Sequence, residues 1–134
     1  MKTVIIGAVA AGTSAATEIR RKDKTAEIII YEKDRYISYS SCWMPYFLGN
    51  DFSSFDDLVP RDAEFFKRKH NISIHILHEV LSINPYAKTL QVKNTLTDQE
   101  FEDSYDKLVI ATGATSERPP IIGNDRENVL YFVI

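Results

Sequence analysis

The chain contains a single cysteine, Cys42, among its 134 residues. One cysteine excludes an internal disulfide and leaves too few thiolates for the common structural zinc sites. Its three histidines lie in or next to a predicted strand region and show no metal-ligand spacing with the single cysteine, so we expect no metal centre. Because disulfide-stapled domains belong to oxidising compartments, this composition favours a reducing, cytoplasmic setting.

The chain also lacks a long apolar run and an excess of charge of one sign. Its first apolar stretch soon meets glycine and charged residues, so it predicts neither a spanning helix nor a signal peptide. Sixteen Lys and Arg against 19 Asp and Glu leave a net charge of -3, which predicts no nucleic-acid partner. No repeat or Gly/Ser linker interrupts residues 1–134, which therefore predict one soluble domain.

The first third of the chain predicts a strand, a helix and a second strand. "KTVIIG" and "AEIIIYEK" are continuously apolar, as in a parallel sheet that is covered on both faces. Between them, residues 11–21 predict a helix, and the four-residue spacing of Ala11, Ala15 and Ile19 predicts its sheet-facing side.

The rest of the chain predicts a further helix and an antiparallel insert. "PRDAEFFKRKH" is typical of a helix with Pro60 in its first turn. "ISIHILHEVLSI", "KTLQVKN" and "QEFEDSY" predict antiparallel strands over about residues 72–105, and "DKLVIATGA" predicts a return to the buried sheet. The final "NVLYFVI" is also strand-like. The sequence thus predicts an α/β fold, a Rossmann-like parallel sheet with an antiparallel β insert.

The turn between the first strand and helix, "GAVAAG", is typical of a dinucleotide site. Gly7 and Gly12 occupy the first and third glycine positions of such turns, and Val9 occupies the second. Glu32 follows at the end of the second strand, where a carboxylate can accept hydrogen bonds from ribose hydroxyls. The alternative is that these small residues only allow the helix to pack closely on the sheet, but this alternative does not account for Glu32.

Five stretches in order resemble the amino-terminal part of the coenzyme A-disulfide reductases, which belong to the pyridine nucleotide-disulfide oxidoreductases. They are "VIIGAVAAGTSAA", "YEKDRYISYSSCWMPYFLG", "FFKRKHNI", "HEV" and "SYDKLVIATGA". The resemblance implies FAD as cofactor, NADPH or NADH as electron donor, and one redox cysteine beside the flavin. It also implies a small disulfide such as coenzyme A disulfide as substrate, and a homodimer in complete members, which are longer than this chain.

The resemblance assigns cofactor and catalytic residues one by one. The pyrophosphate turn matches Gly7, Ala8, Val9, Ala10, Ala11 and Gly12. The ribose contacts match Glu32 and Lys33, and a loop against FAD matches Ala111, Thr112 and Gly113. The redox cysteine matches Cys42.

The chemistry of a lone cysteine is consistent with that role. With no second thiol nearby, Cys42 could form a mixed disulfide with a small thiol or a sulfenic acid, and both need a thiolate. A helix running from Cys42 through "WMPYFLG", with Pro45 in its first turn, would stabilise that thiolate. The alternative is that Cys42 is a buried apolar filler.

The resemblance also assigns coenzyme A contacts. They match Ser14, Glu18, Arg21, Ser38, Ser41 and Lys69. Arg21 and Lys69 could bind phosphates, and the serines could donate hydrogen bonds. The alternative is a solvated helix face, which we favour for the neighbouring Arg20, Lys22 and Lys24.

Three functions remain open from the sequence. The first is the FAD-binding segment of a coenzyme A-disulfide reductase, and the second is a segment of an NADH oxidase or peroxidase with a sulfenic acid at Cys42. The third is a catalytically inert dinucleotide-fold segment, because the stretches that resemble the family include neither its nicotinamide domain nor its later FAD segment. For the isolated chain we expect inactivity and weak or absent FAD binding.

Overall fold

The computed structural model describes residues 1–51, 53–127 and 129. In chain order its elements are β1 (Lys2–Ile6), α1 (Ala10–Lys22), β2 (Glu27–Glu32), the 3-10 helix η1 (Ser41–Trp43), α2 (Met44–Leu48), the 3-10 helix η2 (Phe55–Leu58), α3 (Ala63–His70), β3 (Ser73–Ile76), β4 (His78–Asn84), β5 (Thr89–Asn94), β6 (Glu100–Ser104) and β7 (Lys107–Ile110). Of the strand-like ending at 128–134, all but residue 129 lies outside the described residues. Within the described residues, no helix is long and apolar enough to cross a membrane.

A parallel sheet forms the centre of the fold, in the strand order β3-β2-β1-β7. Ile5 of β1 pairs in register with Ile30 of β2 and Val109 of β7. These strands are apolar on both faces because both faces are covered. On one face Ile5 and Ile30 share a core with Ala16 of α1 and Phe66 of α3.

The other face of the parallel sheet is covered by an antiparallel sheet of the order β4-β5-β6. Leu90 and Val92 of β5 pack there against Val4 and Tyr31. The predicted fold class, a Rossmann-like parallel sheet with an antiparallel β insert, is confirmed.

The insert begins later than the expected residue 72. Residues 73–76 form β3, which pairs parallel to β2, so the antiparallel sheet covers residues 78–104. The apolar run "ISIHILHEVLSI" is broken at Leu77, whose φ of 57° is left-handed and whose N–H bonds Asp34 O. A strand cannot continue through that backbone conformation, so one predicted strand becomes two.

Two helix predictions also need correction. Of the row predicted to face the sheet, Ala15 and Ile19 do pack against the core, but Ala11 is exposed. The buried positions Gly12, Ala16 and Arg20 form the neighbouring row. Helix α3 begins at Ala63 rather than near Pro60. It begins there because the Asp62 side chain accepts the Phe65 N–H and caps the first turn.

Candidate functional site

The turn between β1 and α1 has room for no side chain at either glycine. Gly7 has a φ of +102°, and a Cβ on it would lie 2.3 Å from Ala111 O. A Cβ on Gly12 would lie 1.8 Å from Gly7 O. Val9 is the N-cap of α1 with a φ of -88°, which any residue can adopt. Steric contact therefore requires the first and third glycines, whereas the second position tolerates valine.

The start of α1 fits an anion. Its N-cap has no side-chain hydrogen bond, and no acidic residue lies in its first turn. The first amides of a helix have no partner within it, and the helix dipole adds positive potential at the same end. A pyrophosphate can accept these N–H groups without displacing a protein side chain.

Glu32 lies beside this turn and is only 6% exposed. Its Oε2 accepts the Ala8 N–H at 2.7 Å, and its Oε1 accepts the Asp34 N–H at 3.0 Å. Each oxygen of a carboxylate can accept a further hydrogen bond, so ribose hydroxyls can still bind. Lys33 follows in an exposed position. The residues expected to hold the ADP half of FAD therefore fit that group.

The third predicted cofactor segment, residues 111–113, meets the glycine turn at the same edge of the sheet. The Ala111 N–H donates to Ile6 O at 2.8 Å, which extends the β1–β7 ladder beyond Ile110. Thr112 is exposed, and Gly113 has a left-handed φ of +69°. This edge is where ligands bind in open α/β sheets.

Cys42 is exposed, which contradicts the buried-filler alternative. It lies inside η1, which passes directly into α2 at Met44, with Pro45 in the first turn of α2. The helix predicted from Cys42 is therefore present, but it starts at Ser41 and is a 3-10 helix as far as Trp43. The loop before it is tied to the cofactor turn, because the Ser38 N–H donates to Ala8 O at 2.9 Å. Ser38 itself has a left-handed φ of 52°. This hydrogen bond keeps the loop that contains Cys42 next to the glycine turn.

The residues predicted to bind coenzyme A lie on two helices and the cysteine loop. On α1, the Arg21 guanidinium makes two 2.8 Å hydrogen bonds to the Glu18 carboxylate. The bond from Arg21 is the main reason that the pKa of Glu18 is lowered to about 2. Ser14 is exposed one turn earlier, and Ser41 opens η1. Lys69 belongs to α3, where its Nζ lies 5.3 Å from the centroid of the Phe65 ring.

Arg20 was expected on the solvated face of α1, and that expectation is wrong. It is 8% exposed, and its guanidinium donates to five backbone carbonyls. The signal available in the sequence is the four-residue row Gly12, Ala16 and Arg20, which continues the packed face. An arginine at the end of such a row can turn its donors toward helix-terminal carbonyls.

A second polar cluster missed by sequence reasoning lies between the two sheets. The Tyr31 hydroxyl donates to Asp103 at 2.8 Å, and Lys2 pairs with the same carboxylate. Tyr31 also stacks on His75, with ring centroids 5.5 Å apart. No group of three His, Cys, Asp or Glu side chains in the described part of the chain could hold a metal ion.

A sequence profile of the pyridine nucleotide-disulphide oxidoreductases matches residues 1–133. The chain is 44% identical over 113 residues to a coenzyme A disulfide reductase of Staphylococcus haemolyticus, covering 84% of this chain and 26% of that protein. A relative with the same description in Staphylococcus epidermidis is 41% identical over 87% of this chain and 27% of its own length. The chain therefore spans about a quarter of the length of the curated relatives it matches.

The fold of the chain also matches solved structures of related enzymes. Reduced CoADR-RHD of Bacillus anthracis matches with a TM-score of 0.86 and 35% identity, covering 90% of this chain and 22% of that one. The NAD-dependent persulfide reductase of A. fulgidus matches with a TM-score of 0.86 and 40% identity, covering 95% of this chain and 24% of that one. The water-forming NADH oxidase of Lactobacillus brevis matches with a TM-score of 0.84 and 31% identity, covering 95% of this chain and 28% of that one.

Proposed function

Because this chain belongs to the pyridine nucleotide-disulphide oxidoreductase family, we propose that it is the FAD-binding segment of an NAD(P)H-dependent disulfide reductase. Its substrate is coenzyme A disulfide, and its redox residue is Cys42. One observation carries the proposal: the exposed thiol lies four residues from Ser38, which is bonded to the turn that the buried Glu32 carboxylate braces.

In this function the glycine turn and Glu32 hold the ADP half of FAD. The amides at the start of α1 bind the pyrophosphate, and Glu32 accepts from the ribose while keeping its bond to the Ala8 amide. Lys33 would contact the adenosine ribose, and residues 111–113 would pack against FAD. When bound, FAD would supply two-electron redox chemistry to the segment.

The chemistry of the chain itself is a thiol–disulfide exchange. The Cys42 thiolate attacks one sulfur of coenzyme A disulfide, forms a Cys42–coenzyme A mixed disulfide and releases the other coenzyme A as its thiolate. Cys42 is oxidised and the departing coenzyme A is reduced, so the exchange needs no external electrons. Two electrons that NAD(P)H would supply in the whole enzyme, together with one proton, then reduce the mixed disulfide to the Cys42 thiolate and the thiol of the second coenzyme A.

Cations on α1 and α3 bind the phosphates of the substrate. Arg21 and Lys69 are exposed and supply positive charge, while Ser14, Ser38 and Ser41 supply hydroxyls. Arg21 presents the fork geometry that suits phosphate, but in the free chain Glu18 occupies that fork. Phosphate binding therefore competes with the Glu18 carboxylate.

The cofactor assignment is tested by titrating FAD and ADP into the chain and into Glu32→Gln. Loss of a charge-assisted hydrogen bond should weaken binding by about 1.5 to 3 kcal/mol. Glu27→Gln is the matched control, because Glu27 is an exposed carboxylate at the opposite end of the same strand. Equal affinities in all three proteins would refute the assigned ribose site.

The substrate assignment is tested by mass spectrometry after incubation with coenzyme A disulfide at neutral pH. We expect one mixed disulfide, absent in Cys42→Ser, that forms faster than the adduct with glutathione disulfide, which carries no phosphates. Added salt should bring the two rates of adduct formation closer together, because it screens the charges of Arg21 and Lys69. A folded chain that forms no adduct would refute the reductase assignment.

The second candidate is a segment of an NADH oxidase, favoured by the match to the Lactobacillus brevis structure. In that case hydrogen peroxide should convert Cys42 to a sulfenic acid that a sulfenic-acid-specific reagent traps, and coenzyme A disulfide should give no preferred adduct.

A further inference from the structure

We propose that Arg20 is a positioning residue that sets the spacing between the two phosphate-binding cations, Arg21 on α1 and Lys69 on α3. This inference rests on the proposed function. The guanidinium of Arg20 is buried and hydrogen-bonded, and it takes no part in the thiol–disulfide exchange.

Arg20 ties the ends of two helices together. Its Nε donates to His70 O at 2.8 Å and its Nη2 to Asn71 O at 3.0 Å, so it binds the carboxyl end of α3. Among the described residues, every hydrogen bond between α1 and this end of α3 comes from Arg20. These carbonyls have no partner within α3, because the last four C=O groups of a helix have none, and the chain leaves the helix at its C-cap Asn71 with a left-handed φ of 50°.

The same guanidinium also binds the segment that leaves α1. Nη1 donates to Lys24 O at 2.7 Å and to Asp23 O at 3.3 Å, and Nη2 donates to Ala26 O at 2.6 Å. A planar group with fixed donor directions that binds both segments leaves little freedom for one to move against the other.

Both phosphate-binding cations are next in sequence to residues of this clamp. Arg21 follows Arg20, and Lys69 precedes His70, whose carbonyl Arg20 binds. Each cation is also held locally, Arg21 by Glu18 and Lys69 above the Phe65 ring. Ala16 and Phe66 already pack the two helices into one core, and Arg20 adds the hydrogen bonds that fix the separation of their carboxyl ends. One phosphorylated ligand can reach both cations only at the right separation, so Arg20 acts on affinity through Arg21 and Lys69.

The test uses the rate of Cys42 labelling by coenzyme A disulfide divided by the rate with glutathione disulfide. This ratio cancels changes in the reactivity of the thiol. We expect Arg20→Met to lower the ratio by about tenfold, the effect of losing one charge-assisted contact. Arg20→Lys keeps the charge but cannot reach five carbonyls, so it should lower the ratio as well; it decides the question if Arg20→Met does not fold.

Asp23→Ala is the matched control for a loss of stability alone. The Asp23 side chain accepts from the Thr25 and Ala26 amides in the same turn, but it makes no bond to α3. It should lower the melting temperature and leave the ratio unchanged. An equal fall of the ratio in Asp23→Ala would refute a positioning role.

The remaining outcomes separate this inference from the function it rests on. A ratio that falls in Arg21→Ala and Lys69→Ala but persists in folded Arg20→Lys or Arg20→Met would overturn the positioning role alone. A native ratio near one that neither Arg21→Ala nor Lys69→Ala changes would overturn the coenzyme A assignment, and the role of Arg20 with it.

Discussion

Single atoms decide much of this site, because the β1–α1 turn is packed at backbone distance. Gly12 approaches the carbonyl of Gly7 too closely for a Cβ, and Gly7 approaches Ala111 in the same way. Elsewhere in the described part of the core, one buried side-chain atom has no hydrogen-bond partner: the hydroxyl of Thr3, a residue that is 1% exposed. The two cases give stability predictions of opposite sign.

Gly12→Ala should destabilise the chain by about 3 kcal/mol or more, because its Cβ would overlap a backbone carbonyl that cannot move freely. It should also abolish ADP binding. Gly49→Ala is the control, since its Cβ would come no closer than 3.4 Å to any atom. Urea unfolding measures both variants, and a loss of less than about 1 kcal/mol in Gly12→Ala would contradict the steric requirement.

Thr3→Val should stabilise the chain by about 1 kcal/mol, because it removes a buried hydroxyl that has lost its water. Thr13→Val is the matched control, because the buried Thr13 hydroxyl donates to Val9 O at 2.7 Å and should cost stability when removed. Thermal unfolding should move in opposite directions for the two variants; a lower melting temperature for Thr3→Val would show that its hydroxyl has a partner.

At the scale of elements, the two ends of α1 differ in chemistry. Its start offers uncapped amides to an anion, and its last turn contains Arg20, Arg21 and Lys22. Of these, Arg20 points inward to carbonyls, whereas Arg21 and Lys22 pair with Glu18 on the surface. The exposed pair contributes little to stability. Glu18 instead competes with any incoming anion for the guanidinium of Arg21.

Glu18→Gln should therefore speed the reaction of Cys42 with coenzyme A disulfide, because it frees the Arg21 fork and removes a negative charge that repels phosphate. Folding stability should change by less than about 1 kcal/mol. Glu64→Gln removes the same charge from an exposed pair with Arg68 and controls for net charge. If both variants accelerate labelling equally, Glu18 has no specific role at the phosphate site.

At the scale of the whole molecule, the two sheets are joined by a core that contains titratable groups. Burial, followed by the charge of His78, lowers the pKa of His75. Burial alone would raise the pKa of Asp103, but hydrogen bonds from Lys2 and Tyr31 outweigh it and the pKa is lowered. The contact between the sheets should therefore depend on pH in two separate windows.

Acidification should weaken the fold first through His75. Its pKa in the folded chain lies below the unfolded value of about 6.5, so the unfolded chain binds the proton more readily. Stability is fully present above that pH and declines as the pH falls through about 6.5 toward the folded value. Below about 3.9, protonation of Asp103 removes a further contribution.

Urea unfolding between pH 7.5 and 5 measures the first window. His75→Gln should flatten the slope relative to the native chain, because it removes the group whose pKa is lowered on folding. A slope that is identical in His75→Gln and the native chain would contradict the linkage.

The sequence by itself determined the kind of sheet, the glycine turn and the motifs of the family, because these depend on local rules. Continuous apolar strands predict a sheet covered on both faces, and glycines at Gly7 and Gly12 predict a close approach of backbone. Glu32 could be singled out because it ends a strand at a set distance from that turn. Its tie to Ala8 confirms the local geometry, whereas its role toward ribose stays a prediction.

Only the tertiary structure decided which residues face inward where chain segments distant in sequence meet. Arg20 continues a row of small residues on α1, but its partners could not be predicted, because the carbonyls of His70 and Asn71 come from the end of another helix. Likewise, β3 joined the parallel sheet because Leu77 turns the chain and β2 offered an open edge. Local pattern describes a residue's own segment, whereas burial and hydrogen-bond partners depend on segments that fold against it from elsewhere in the chain.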